Sequence, residues 1–424
     1  MSPRVHTLSN GVRVVVDPMD ALQSCALSVV VRGGARWETE ATSGWSHLLE
    51  HMVFKAAGSR SAREIVEAIE GGGGHINATT GYERTSFQVR CLPEGLPLAV
   101  EVLSDLVRRP ALDGEDLERE KAVVLQEIAE AADAPDDRVF DLAQAQAFGT
   151  NHPLGRPILG TEASLAPAMR TSLGAFHAGL YAPERMVVSA AGAVDEAALL
   201  ALVEIFFGDM SPADPRAAEP ANGRFRGGGI AESRRLEQAH SVFLVAGASA
   251  RDADYFAQRL FVEVLGGGMS SRLFQKARED MGLAYAIDAY ADTYEDVGVV
   301  GVYAGTAARS AAPTAELVAT ELMALADGVQ PQELARAKAQ AKAALFMARE
   351  APLARAEQAA GQLLLFGRLF PADELAGQID AVSAADLRRI GARLVSANLS
   401  ASAVLGPARA STAAEAFRAR LAAG

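Results

Sequence analysis

The sequence predicts an α+β fold of two homologous halves, each an antiparallel sheet with helices packed on one face. Three observations carry that prediction. Segments in the first half follow the order strand, strand, helix, helix, strand, helix, helix, which antiparallel strands layered under helices satisfy. Near mid-chain, DMSPADPRAAEPANGRFRGGG (residues 209–229) is dense in Pro, Gly and Ala with no sustained period, and reads as a linker. Sliding the chain on itself by 212 residues places Tyr82-Glu83 on Tyr294-Glu295, each followed by an alternating strand pattern, and aligns helical stretches around Leu103 and Leu317. The expected organisation is a first domain at 1–208, the linker at 209–229 and a second domain at 230–424.

Each element has a local reason. GVRVVVDP and CALSVVVRGG are β-branched runs bounded by Asn10-Gly11 and Gly33-Gly34, so both read as strands. A helix is expected from Gly44 to Phe54. Ser61-Ala62-Arg63-Glu64 forms a capping box that opens the amphipathic stretch REIVEAIE, and the glycines Gly71 to Gly74 end it. INATTGYERTSFQVRCL alternates polar and apolar residues, as a hairpin or half-buried strand does. PLAVEVLSDLVRR and the longer EDLEREKAVVLQEIAEAA follow as helices.

Bulk properties narrow the class. A chain of 424 residues exceeds one hydrophobic core, and 50% hydrophobic with 22% charged residues is ordinary for a globular protein. Only 6% of residues are aromatic, so the cores are expected to be built from Ala, Leu and Val on helices. A net charge of −13 argues against nucleic acid as a partner and favours a basic ligand if a charged one is bound. No run of about 18 apolar residues is present, so no membrane span is expected. The opening MSPRVHTLSNGVRVVV lacks a basic segment followed by an apolar core, so a cytoplasmic location is expected. Cys25 and Cys91, in SCALSVV and VRCLP, have no C-x-x-C spacing and read as buried thiols of a reducing compartment.

The chemistry concentrates in His47-Leu48-Leu49-Glu50-His51, inside the expected helix SGWSHLLEHMVF. At about 100° per residue, His47 and His51 lie roughly 40° apart on the wheel and one turn apart along the axis, with Glu50 on the adjoining edge. Two imidazoles so spaced can grip one tetrahedral zinc while the carboxylate reaches the metal-bound water, the H-x-x-E-H arrangement of zinc peptidases. The bland alternative is a surface helix with two solvated histidines. A catalytic zinc needs a third protein ligand, and Glu127, 76 residues after His51, is a candidate. Glu120 precedes it by seven residues, hence about 20° away on one face, which the two acids are expected to share with Val123 and Val124. Acidic residues on alanine-rich helices usually face solvent, so the residues alone leave Glu127 open.

These motifs resemble the pitrilysin family of inverse-motif zinc peptidases, which includes insulin-degrading enzyme and mitochondrial processing peptidase; the length suits the short, two-domain processing-peptidase branch. The resemblance implies His47, His51 and Glu127 as ligands of one Zn2+ per chain, Glu50 as general base and Glu120 as a group supporting the site. It covers almost the whole chain. GGGGHINATTGYERTSF is similar to the family's glycine turn and edge strand, implying that Asn77, Ala78 and Thr79 pair with substrate backbone. NHPLGRPILGTEASL and LYAPERMVVSAAGAVD are similar to its first domain, and LGGGMSSRLFQKAREDMGLAYAI to its C-terminal signature. That signature implies Arg278 and Tyr285 as an oxyanion partner and substrate anchor; on residues alone they read as a solvated helix position and a strand core position. RLFVE (259–263) falls where the first half has HLLEH, so the second half should lack a metal site.

The family fold implies two halves facing like a clam shell, hydrolysing peptides or unfolded segments bound as an added strand in an enclosed chamber. It also implies a homodimer or a heterodimer with a related subunit. Two rivals stand beside this reading: a non-catalytic scaffold or partner subunit, and a zinc amidase on another fold. The departures from the family pattern are Gln126 before the ligand Glu, where acidic residues are common, and Gly81, which interrupts the strand after Asn77.

Overall fold

The computed structural model describes residues 3–212, 219–395 and 400–423. In chain order it runs β1 (Arg4–Thr7), β2 (Arg13–Pro18), β3 (Cys25–Val31), α1 (Trp45–Val53), β4 (Ala56–Ala57), β5 (Arg60–Ser61), α2 (Ala62–Glu70), β6 (His75–Thr80) and β7 (Thr85–Cys91). There follow α3 (Leu96–Arg108), α4 (Gly114–Asp133), α5 (Pro135–Phe148), α6 (Glu162–Leu165), α7 (Arg170–Leu180), β8 (Met186–Gly192) and α8 (Glu196–Phe207). The second half comprises β9 (Gly228–Ser233), β10 (Gln238–Gly247), α9 (Tyr255–Gly266), β11 (Ala284–Thr293), β12 (Gly298–Ala307), α10 (Ala311–Asp327), α11 (Pro331–Ala348), α12 (Pro352–Phe366), α13 (Ala372–Ala381), α14 (Ala384–Leu394), β13 (Ser400–Gly406) and α15 (Ala413–Ala422). Of the expected linker, 213–218 lies outside the described residues, 209–212 and 219–227 carry no helix or strand, and 228–229 already belong to β9. Among the described residues no helix is long and apolar enough to cross a membrane.

The chain forms two compact units. The first gathers residues 1–128, 157–220 and 346–371, and the second 129–156, 221–345 and 372–424. The contiguous division at 209–229 therefore needs correction. Helix α5, from the first half of the sequence, packs on β9, β10 and β13 of the second unit, while α12, from the second half, packs on β2, β3 and β8 of the first.

In the first unit the sheet order is β1-β2-β8-β3-β7-β6. The pair β2·β8 is parallel; β1·β2, β3·β8, β3·β7 and β6·β7 are antiparallel. The second unit repeats this plan as β11-β12-β10-β13-β9, with β9·β13 parallel and the other pairs antiparallel. Strand by strand, β9 corresponds to β2, β10 to β3, β11 to β6, β12 to β7 and β13 to β8. The Tyr-Glu repeat has a structural cause. Both copies occupy the turn of the equivalent hairpin, where Glu83 pairs with buried Arg36 and Glu295 pairs with Arg251.

Helices cover both faces of the first sheet, where one face was expected. Val14, Val16, Leu27 and Val29 join Leu48, Leu49 and Met52 of α1 in the main core, while Val15, Val30 and Val187 face Ala359, Ala360 and Leu363 of α12. All seven residues of β3 are accordingly buried, the continuous apolar run of a strand covered on both sides. Asp17, 2% exposed, accepts from Arg355 Nε at 2.6 Å and Nη2 at 2.5 Å, tying α12 to β2. Cys25 and Cys91 are register partners on β3 and β7, both buried, with Sγ atoms 3.6 Å apart.

Candidate metal centre

Helix α1 starts after Gly44, whose φ of 87° is left-handed. It buries Trp45, Leu48, Leu49, Met52 and Val53, and this sets its rotation, leaving His47, Glu50 and His51 half-buried on the remaining side. On α4 the buried positions are Leu117, Glu120, Lys121 and Val124. Val124 shares the Glu120 side, but Val123 is 41% exposed, which corrects the expectation for that residue. Two turns beyond Glu120, Glu127 comes up beside the histidines.

Glu127 Oε2 lies 3.8 Å from His47 Nε2 and 3.6 Å from His51 Nε2, and one donor atom from each residue falls within 4.8 Å of the others. Such separations are too long for hydrogen bonds yet suit donors sharing one cation at about 2.0–2.2 Å each. The donor chemistry agrees: Glu127 Oε2 and His47 Nδ1 are buried without a hydrogen-bond partner, and burial followed by the neighbouring His51 pushes His47 down to about 4. His47 therefore stays neutral at physiological pH, the form that ligates a metal.

Glu120, 5% exposed, contacts His51 Nδ1 at 3.1 Å and accepts from Lys55 Nζ at 2.6 Å. A carboxylate on Nδ1 fixes the tautomer that leaves the Nε2 lone pair toward Glu127. Thr80 Oγ1 donates to Glu50 Oε2 at 2.5 Å, and burial raises the Glu50 carboxyl above the usual carboxylate range. Sequence reasoning missed both Lys55 and Thr80. Lys55 follows His51 by four residues and so was accessible to a helical wheel, but Thr80 reaches Glu50 only through packing of β6 against α1.

Asn77, Ala78 and Thr79 lie on β6, which among the described residues ends the sheet order and pairs with β7 alone. Asn77 and Thr79 are exposed and Ala78 is buried, and the register runs unbroken to Thr80. Gly81 does not interrupt it but opens the hairpin turn, donating to Arg84 O at 2.8 Å. Arg278 and Tyr285 belong to the second unit. Arg278 sits on a π-helical segment, Phe274–Asp280, with its guanidinium 4.9 Å from the Phe274 ring centre. Tyr285 is 63% exposed on β11, which removes the strand-core alternative. Arg259 to Glu263 lie in α9, which packs on β11 as α1 packs on β6.

The duplicated α+β chain thus brings two imidazoles and a carboxylate together where they could hold one divalent cation, with a second carboxylate, Glu50, on the same helix as the imidazoles. Comparison with known proteins agrees: residues 13–162 match the insulinase family, peptidase family M16, and residues 168–341 match the M16 peptidase inactive domain. The chain belongs to peptidase family M16. It is 36% identical to the uncharacterized zinc protease YmxG of Bacillus subtilis over 89% of this chain and 92% of that one. To the uncharacterized zinc protease Rv2782c of Mycobacterium tuberculosis it is 36% identical over 96% and 94%. A crystal structure of a protease from Helicobacter pylori shares the fold, with a TM-score of 0.90 and 20% identity over 96% of this chain and 99% of that one.

Proposed function

We propose that the protein is a zinc metalloendopeptidase hydrolysing peptides or unfolded segments of polypeptide. The convergence of His47, His51 and Glu127 within 4.8 Å is the observation that carries this reading. These three residues would hold the zinc, one ion per chain. Zinc bound there supplies Lewis acidity toward the scissile carbonyl and makes a water molecule acidic enough to attack near neutral pH. Glu50 takes the proton from the attacking water and returns it to the departing amine. The Thr80 hydroxyl fixes the oxygen it donates to, leaving the other for that transfer, and Glu120 holds the His51 ring.

Substrate backbone is proposed to add as a strand along the free edge of β6, beside Asn77, Ala78 and Thr79, so that an extended shape matters more than sequence. Arg278 and Tyr285, both exposed, are proposed to meet the charge developing on the carbonyl and to anchor the substrate. An enclosed chamber, and action as a homodimer or with a related subunit, rest on the family resemblance. A reducing, cytoplasmic location is proposed from the two cysteines, both buried and without C-x-x-C spacing.

The test is metal analysis combined with turnover on a mixed peptide library. Wild-type protein is expected to carry about one zinc and to lose activity to a chelator. Glu50→Gln is expected to keep the zinc and lose about 10²–10⁴-fold in turnover. Purified protein that binds no zinc would instead support the scaffold reading.

A further inference from the structure

We infer that Glu38 is a positioning residue for the metal-binding helix, acting through the backbone of α1 and not by contact with the metal or the substrate. An α-helix leaves its first backbone N–H groups without intrahelical partners. At the start of α1 the flanking residue is Gly44, which has no side chain with which to cap them. Glu38, 4% exposed, supplies the missing acceptors from the loop between β3 and α1: Gly44 N–H donates to Oε2 at 2.8 Å and Ser46 N–H donates to Oε1 at 2.8 Å. Both carboxylate oxygens are thus committed to two of the donors at the helix start, where the macrodipole favours negative charge. The first ligand, His47, follows Ser46 directly.

The surrounding contacts show that this end of the helix is held in one place. Trp45 Nε1 donates to Ser164 O at 2.9 Å, and Ser164 Oγ donates to Ser43 O at 2.7 Å. Gly44 and Gly160 pack backbone to backbone so closely that a Cβ on Gly44 would meet Leu159 O at 2.5 Å, and one on Gly160 would meet Ser43 O at 2.4 Å. The chain around the helix start therefore has little room to shift and compensate. Without the Glu38 carboxylate, two buried N–H groups lose their acceptors, and the first turn must unwind or tilt to find others. That turn carries His47, whose Nε2 stands 3.8 Å from Glu127 Oε2. At the start of α9 in the second unit the flanking residue, Asp254, makes no side-chain cap, and its own N–H donates to Asp252 Oδ1 at 2.9 Å.

Glu38→Ala removes both acceptors. Glu38→Gln keeps one and turns an NH2 group toward the other donor, so it should fall between wild type and Glu38→Ala. Zinc affinity measured by competition with a chromophoric chelator is expected to weaken about tenfold or more in Glu38→Ala and by less in Glu38→Gln. The d–d absorption of the Co2+-loaded variants should shift with the altered ligand geometry. Turnover should fall in kcat with KM nearly unchanged, because no substrate contact is removed. A role confined to fold stability would lower the melting temperature of the metal-free protein and leave the cobalt spectrum and the zinc affinity of folded protein alone. That result overturns the inference. Should Glu38→Ala fail to fold, Glu38→Gln decides by the same two readouts. The inference rests on the metal-site reading, and the outcomes separate: wild type that binds no zinc sinks that reading, whereas wild type and variants that bind it equally sink this one alone.

Discussion

At the scale of single residues, the site assigns different tasks to groups that a sequence shows only as polar letters. Thr80 touches Glu50, the proposed base, and Lys55 touches the carboxylate behind His51, so their loss should read out differently. Thr80→Val is expected to lower kcat, by an amount short of Glu50→Gln, with zinc content unchanged. Lys55→Met is expected to weaken zinc binding by about 10–100-fold, because Glu120 then orients His51 without a partner of its own. Chelator competition and steady-state kinetics on the same preparations would separate the two; equal zinc affinity in Lys55→Met would remove the role given to it. His47, Glu50 and His51 were legible because one turn of helix brings them together whatever the rest of the chain does. Glu127 was legible by spacing only once the family was recognised, since nothing local distinguishes it from a solvated acid. The opposition of Cys25 and Cys91 was not legible, because strand register follows from pairing across 66 residues and neither flanking sequence encodes it.

At the scale of elements, the π-helical segment that carries Arg278 is flanked by one ion pair, two residues before its start, and holds another. Arg272 binds Glu333 through Nε and Nη2, both at 2.7 Å, and Lys276 binds Glu321 at 2.6 Å. The hydrogen bond from Arg272, ahead of the opposing cost of burial, holds the Glu333 carboxyl below its ordinary value. A folded-state pKa lower than the unfolded one means that the unfolded chain takes up the proton first. The stabilisation is therefore present above the unfolded value, about 4.3, and is lost as pH falls through the depressed folded one. Glu333→Gln should melt below wild type at pH 7, and the gap should close toward pH 3. A gap independent of pH would show that packing, and not the charge, is what the variant loses. The helices and hairpins of the first half were legible from caps and periodicity: Ser61 accepts from Glu64 N–H as its capping box requires, and α1 lies within the predicted Gly44 to Phe54. A π-helical turn has no such signature, and from the residues alone Arg278 reads simply as a solvated helix position.

At the scale of the whole molecule, the duplication shows in matching sheet orders, while the exchange of α5 and α12 between the units was hidden. A helical pattern reports which face of a helix is apolar and is silent on which sheet will cover it. The exchange makes a direct prediction. A fragment ending at residue 208 lacks α12 and leaves Val15, Val30 and Val187 uncovered and Asp17 unpaired. It should aggregate or bind a hydrophobic dye without a cooperative melt, and a cooperatively melting, soluble fragment would contradict this. Asp17 and Arg355, joined in the finished protein, stand 338 positions apart along the chain. On the ribosome, then, the first sheet emerges long before its second cover exists, and the nascent chain must keep that valine-lined surface from other polypeptides until α12 has been translated. The order in which the helices are made thus sets how long that face waits for its cover.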